Sequence, residues 1–158
     1  MRTPVLLVAG FAALLASCGS ESKPAVSATP RKAEAPKPSD ESRRFAKTNL
    51  IDTRVVDREL MGKPFMPGGT LAHYRNGKTE YEMFIARLSS PAEAAYLLPD
   101  WRKVLADAKF VPSFGGYFGL DAGRPVFVFT KGAWIAGIAG LSEKAADTEA
   151  RVLAGALN

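Results

Sequence analysis

The stretch Thr70–Leu88, TLAHYRNGKTEYEMFIARL, decides the fold. Asn76-Gly77 separates two runs of strand-forming residues, and both positions tolerate positive φ. The segment therefore predicts a tight hairpin between strands Thr70–Arg75 and Lys78–Leu88. Directly after it, Ser90-Pro91-Ala92-Glu93 supplies a serine cap, proline at the first helical position and glutamate three residues beyond the cap. Ala94, Leu97, Leu98, Trp101, Val104, Leu105 and Ala108 follow at helical spacing. Pro99 falls inside that phase, which predicts a kink or a short break.

Further along, Phe114–Leu120, Pro125–Lys131 and Ala133–Gly140 read as three antiparallel strands. The turns Asp121-Ala122-Gly123-Arg124 and Lys131-Gly132 separate them. Ser142 then opens a closing helix with an apolar stripe at Ala146, Ala150, Leu153 and Leu157. The order is ββα–βββα, with Leu50–Val56 offering one more strand ahead of it. The expected class is α+β: an antiparallel sheet with two helices packed on one face.

The chain's one cysteine lies far upstream, in LLASCGS at Leu14–Ser20. Ahead of it, Met1 and Arg2 give a short positive end. Val5–Ala16 then forms a twelve-residue apolar run, suited to a secretory signal and shorter than the roughly 18 residues that span a bilayer. Leu15-Ala16-Ser17-Cys18 resembles the lipobox of bacterial lipoproteins: a branched aliphatic, two small residues and cysteine. The resemblance implies a diacylglyceryl group on the Cys18 sulfur, signal-peptidase II cleavage between Ser17 and Cys18, and acylation of the new amino terminus. Gly19 stands where, in such proteins, an aspartate favours retention in the inner membrane. The resemblance therefore implies the outer membrane, facing the periplasm. With no second cysteine, an intrachain disulfide or a CxxC pair is excluded.

Three segments follow: a signal peptide over 1–17, lipidated Cys18 with a tether to 44, and one domain over 45–158. Residues 19–44 hold four prolines, many Ser, Ala and charged residues, and one larger aliphatic, Val26. That composition cannot offset chain entropy by burial, so a disordered tether is expected, with a reach of about 28 Å. The domain carries 14 Lys and Arg against 12 Asp and Glu, so the chain's net +5 overstates its basicity. No nucleic-acid motif is present. The hairpin, Ser89–Ala95 and the glycine-aromatic strands are similar to uncharacterised secreted bacterial domains, over residues 65–157. That similarity implies a fold and no activity.

Candidate chemistry is sparse. His73, the single histidine, sits in a predicted strand, and no serine lies in a G-x-S-x-G elbow. A plain strand position is expected for it. Glu80 and Glu82 alternate onto one strand face and read as solvated, not as a catalytic pair. Asp52, Asp57 and Glu59 share their stretch with Arg54 and Arg58, as surface ion pairing would explain. Phe114–Gly119, FGGYFG, lacks the spacing of a phosphate loop and reads as a bulged, twisted strand. No catalytic residue, metal or cofactor is expected.

One feature asks for more. Strands Val126–Phe129 and Trp134–Ala139 are apolar on both faces, and in the hairpin Phe84, Ala86 and Leu88 oppose Tyr81, Met83 and Ile85. With both helices on one face, something else must cover the other. One candidate is Phe45–Pro67, through Leu50, Ile51, Val55, Val56, Leu60, Met61, Phe65 and Met66. The alternative is an envelope protein, a homodimer mate or an apolar ligand on a surface made by Tyr117, Phe118, Phe127, Phe129 and Trp134, with Ala136, Gly137 and Ala139 permitting close approach. The expected function is a lipid-anchored, non-enzymatic envelope domain that binds another envelope component. A carrier of a small hydrophobic ligand or lipid is the second reading, and a hydrolase of unidentified type the third.

Overall fold

The computed structural model describes residues 37–158. The signal peptide, Ser17, Cys18 and most of the tether lie outside the described residues. Seven strands form one antiparallel sheet: β1 (Leu50–Arg58), β2 (Pro67–Asn76), β3 (Thr79–Arg87), β4 (Ala106–Val111), β5 (Gly116–Asp121), β6 (Arg124–Lys131) and β7 (Trp134–Ala139). Their spatial order is β1-β2-β3-β7-β6-β5-β4, two meanders joined where β7 returns beside β3. Helices α1 (Pro91–Tyr96) and α2 (Leu98–Val104) link β3 to β4, and α3 (Glu143–Gly155) closes the domain. The α+β class, the strands and helices of the ββα–βββα order and the added strand near residue 50 are all present, and one further strand, β4, stands between α2 and β5.

The local signals act as their chemistry dictates. Ser90 Oγ accepts from the Glu93 N–H at 3.1 Å, while the Glu93 carboxylate accepts from the Ser89 N–H and hydroxyl. The helix breaks at Leu97, which places Pro99 in the first turn of α2, where its missing N–H costs nothing. Asn76 pairs with Thr79, so the hairpin turn is Gly77-Lys78, one residue later than the sequence predicts. Gly77 alone takes positive φ there, as a type II′ turn requires.

The helix expected to run to Ala108 stops at Val104, because Leu105 turns extended and Asp107 adopts a left-handed conformation at φ 52°. Residues 106–111 become edge strand β4. The expected bulge lies on this strand, between Ala106 and Lys109, and not in the glycine-aromatic stretch, where β5 pairs with β6 in unbroken register.

The helices do not share a face. Ala146, Ala150, Leu153 and Leu157 pack with Tyr74, Tyr81, Met83, Ile85, Phe127, Phe129 and Ile138. Leu98, Trp101 and Leu105 pack with Leu71, Phe84, Ala86, Val126, Val128, Ile135 and Ala139 on the other side. The two sets alternate residue by residue along β3, β6 and β7, as the pleat demands. The reason lies in topology. The α1–α2 crossover must travel from β3 to the far edge at β4, so it crosses β7, β6 and β5, and α3 also packs on β6 and β7. A helix about 10 Å wide covers roughly two strands at 4.8 Å spacing, so one face cannot hold both over the same strands.

This arrangement settles what covers the sheet. Leu60 and Met66 are buried on the α1–α2 face, with Val56, Met61 and Phe65 packed against them. Phe45 and Leu50 join the α3 face instead. The stretch 45–67 is therefore divided between both faces, and it contributes edge strand β1.

Candidate functional site

The chain enters the domain through a pinned segment. The Glu41 carboxylate, buried at 8% side-chain exposure, accepts from Ser39 Oγ at 2.8 Å and from Arg44 Nε at 2.8 Å. The Glu41 N–H donates to Thr70 Oγ1 on β2 at 3.0 Å. Arg44 also donates to the Ala156 carbonyl at the end of α3, at 2.6 Å, and lies 4.5 Å from the centre of the Trp134 ring. Burial alone would raise the Glu41 pKa, but the bonds from Ser39 and Arg44 outweigh it and hold the carboxyl below its ordinary value. Residues 39–44 thus belong to the folded body, and the disorder expected through 44 is corrected there. Composition hid this, since the partners Thr70, Ala156 and Trp134 are distant in sequence.

The five aromatic residues expected on a docking surface do not form one. Phe127, Phe129 and Trp134 are buried beneath α3 and the entering segment. Phe118 is half-buried on that same face, whereas Tyr117 is half-buried on the opposite one, beside Arg102. Their apolar pattern marked a covered strand correctly but could not say that the cover came from this chain. Ala136 and Gly137 are likewise interior. A Cβ at Gly137 would fall 2.4 Å from Phe84 Cζ, so the glycine leaves room for that ring.

His73 lies half-buried on β2 between two carboxylates, with Nδ1 3.8 Å from Asp52 Oδ2 and Nε2 3.5 Å from Glu80 Oε2. Glu80 also accepts from Arg75 Nε at 2.7 Å, and Glu82 accepts from Arg124 at 2.6 Å. The Glu80 carboxyl is held below its ordinary pKa, first by the Arg75 hydrogen bond and then by its charge. Arg75 with Glu80 and Arg124 with Glu82 are ion pairs along a strand face beside the His73 ring, and Asp52 and Glu80 are largely exposed. Among the described residues, no group of three or more His, Cys, Asp or Glu is placed to hold a metal ion. No described helix is long and apolar enough to cross a membrane.

Concavity concentrates beside α3, where the helix leaves the outer strands of the sheet uncovered. A cleft of about 490 Å³ is lined by Val111, Phe127, Glu143, Lys144, Asp147 and Thr148. A second cleft, of about 330 Å³, is lined by Phe114, Phe129 and Arg151 among others. The Phe114 ring meets the Phe127 and Phe129 rings at 5.2 and 4.9 Å, and Arg151 lies over it at 5.3 Å. Lys109 Nζ reaches from β4 to Glu143 at 2.9 Å. The floor is apolar and the rim carries both charge signs, a surface able to hold a mixed apolar and polar group. Of the residues lining these two clefts, the sequence pattern marked Phe127 and Phe129. No protein-family model, curated protein or solved structure matches the chain.

Proposed function

We propose that the chain is a bacterial envelope lipoprotein: a non-enzymatic domain tethered to a membrane through Cys18 that binds another envelope protein or component. The outer membrane, with the domain facing the periplasm, is its proposed site. The observation that carries the reading is Leu15-Ala16-Ser17-Cys18 at the end of a twelve-residue apolar run, holding the chain's one cysteine. A thiol is the side chain that can form the thioether, and two or three acyl chains anchor stably where one gives only marginal binding. The entering segment suits this role. A pull on the tether would meet Glu41 and Arg44, bonded to β2 and to the end of α3, and not a fraying strand.

A second reading, carriage of a small hydrophobic ligand or lipid, draws on the cleft of about 490 Å³ beside α3, where Val111 and Phe127 supply the apolar lining and Glu143, Lys144, Asp147 and Thr148 the polar one. The test of the anchor is Cys18→Ala. The variant is expected to persist as uncut precursor without lipid label, and normal maturation with unchanged membrane partition would overturn the reading. Crosslinking and mass spectrometry on intact envelopes then separate the binder from the carrier. A binder yields a reproducible protein crosslink, whereas a carrier yields none and releases lipid on denaturation.

A further inference from the structure

We propose that β1 pairs with β1 of a second copy, antiparallel and centred on Thr53, to make one continuous sheet across a dimer. β1 is the nine-residue edge of the sheet, and its outer side has no strand partner among the described residues. The opposite edge differs: β4 has six residues, and its bulge at Asp107 interrupts the ladder, a device that blunts edges. On β1 the register shift falls between Leu50 and Asp52, so the run from Asp52 onward is regular.

The hydrogen-bond parity of β1 is fixed by its pairing with β2. The Glu59 N–H donates to the Met66 carbonyl, and Pro67, which has no N–H, faces Arg58. Counting back by twos, Thr53, Val55 and Asp57 direct their backbone groups at β2, while Asp52, Arg54 and Val56 direct theirs outward. A second β1 must therefore join even residues to even residues. Centred on Thr53, that rule places Asp52 opposite Arg54 of the second copy, and Arg54 opposite its Asp52. It also sets Thr53 against itself, with Val55 beside it on the same face.

Each of these pairs is complementary. Arg54 makes no ion pair among the described residues, and Val55 is 40% exposed. The two-fold axis stands perpendicular to the sheet, so both copies present the same face to one side. The Ser39–Glu41 segment crosses Thr70, which pairs with Val55, on that face. Both Ser39–Glu41 segments then lie on one side of the joint sheet, which suits two anchors in one membrane. This last point alone rests on the anchoring reading.

The test is made in the full-length chain in its native envelope. In a Thr53→Cys variant, two close, non-hydrogen-bonded positions should form an intermolecular disulfide under mild oxidation. Asp57→Cys should not, since its two sulfurs would be roughly 26 Å apart at 3.3 Å per residue. Arg54→Asp added to Thr53→Cys puts aspartates opposite each other and should lower the crosslink about tenfold. Adding Asp52→Arg restores the pairing and should restore the crosslink. No Thr53→Cys dimer above the wild-type level, or a yield indifferent to Arg54→Asp, or no restoration by Asp52→Arg, overturns the proposal. Wild type carries only Cys18, so a dimer in that control reports an unblocked thiol. Failure of the anchor thus shows separately from failure of the pairing.

Discussion

The two faces of the sheet are packed by opposite divisions of labour. Under α3 the helix gives small residues, with Ala146 and Ala150 fully buried, and the strands give the bulk through Tyr81, Phe127, Phe129 and Trp134. Under α1–α2 the strands give mostly Val126, Val128, Ala86 and Ala139, and the helix gives Trp101, also fully buried. Trp101 stacks on Phe84 at 5.6 Å, takes the edge of Phe65 at 5.6 Å, and directs its indole N–H at Met66 Sδ, 3.2 Å away. Because facing layers must interdigitate at near-crystalline density, bulk on one side requires small residues on the other. One face thus spreads its rings along the strands, while the other centres on one helix ring, Trp101, held against Phe84 and Phe65.

The largest expected effect removes that ring. Trp101→Ala should cost about 3–5 kcal/mol, because it leaves a ring-sized cavity that the strands cannot fill. Leu153→Ala on the α3 face should cost about 2–3 kcal/mol, since the surrounding aromatic rings can close over a smaller gap. Urea unfolding of the two variants checks the ranking, and an equal or reversed order would break the proposed asymmetry.

A second asymmetry is titratable. Tyr74 and Tyr81 stack on the α3 face with ring centroids 5.0 Å apart. Burial, then the negative charge of Glu149, pushes the Tyr81 phenol up to about 12, and burial raises Tyr74 as well. The folded state therefore holds these protons where the unfolded chain releases them. The stabilisation is complete below pH ~10 and is lost as pH rises towards 12. Stability should fall by about 2 kcal/mol for Tyr81 across that window. Tyr81→Phe should flatten part of the alkaline limb in a pH series of thermal melts, and an unchanged limb would contradict the assignment.

The smallest effect contrasts the helix caps. Ser90 accepts a hydrogen bond at the start of α1, whereas the Ser142 side chain makes none at the start of α3, where only its carbonyl accepts, from Ala146. Ser90→Ala should cost about 1 kcal/mol and Ser142→Ala clearly less. Calorimetric midpoints of the pair decide it.

Much of this architecture was legible from local chemistry. The hairpin glycine, the Ser-Pro-x-Glu start and the turns at Ala122-Gly123 and Gly132 each act within a few residues, and all appear where sequence puts them, within about a residue. What escaped was non-local. Helical spacing places Ala108 on the same stripe as Trp101 and Leu105, so nothing in the period reveals that Asp107 turns left-handed and releases an edge strand. The face taken by each helix depends on which strands the crossover must pass, and that follows from sheet order, not from either helix's stripe. The same limit governed the site. Strands apolar on both faces marked Phe127, Phe129 and Trp134 as needing a cover without naming it, and Glu41 and Arg44 looked like tether because their partners lie 29 and 112 residues away.

The proposed role outside the cytoplasm depends most directly on the state of one sulfur. Intact-mass spectrometry of the mature protein, extracted in detergent from its own membranes, reads that state. A chain beginning at Cys18 and carrying a diacylglyceryl group is the expected result. A chain that keeps residues 1–17, or one with Cys18 as a free thiol, contradicts it.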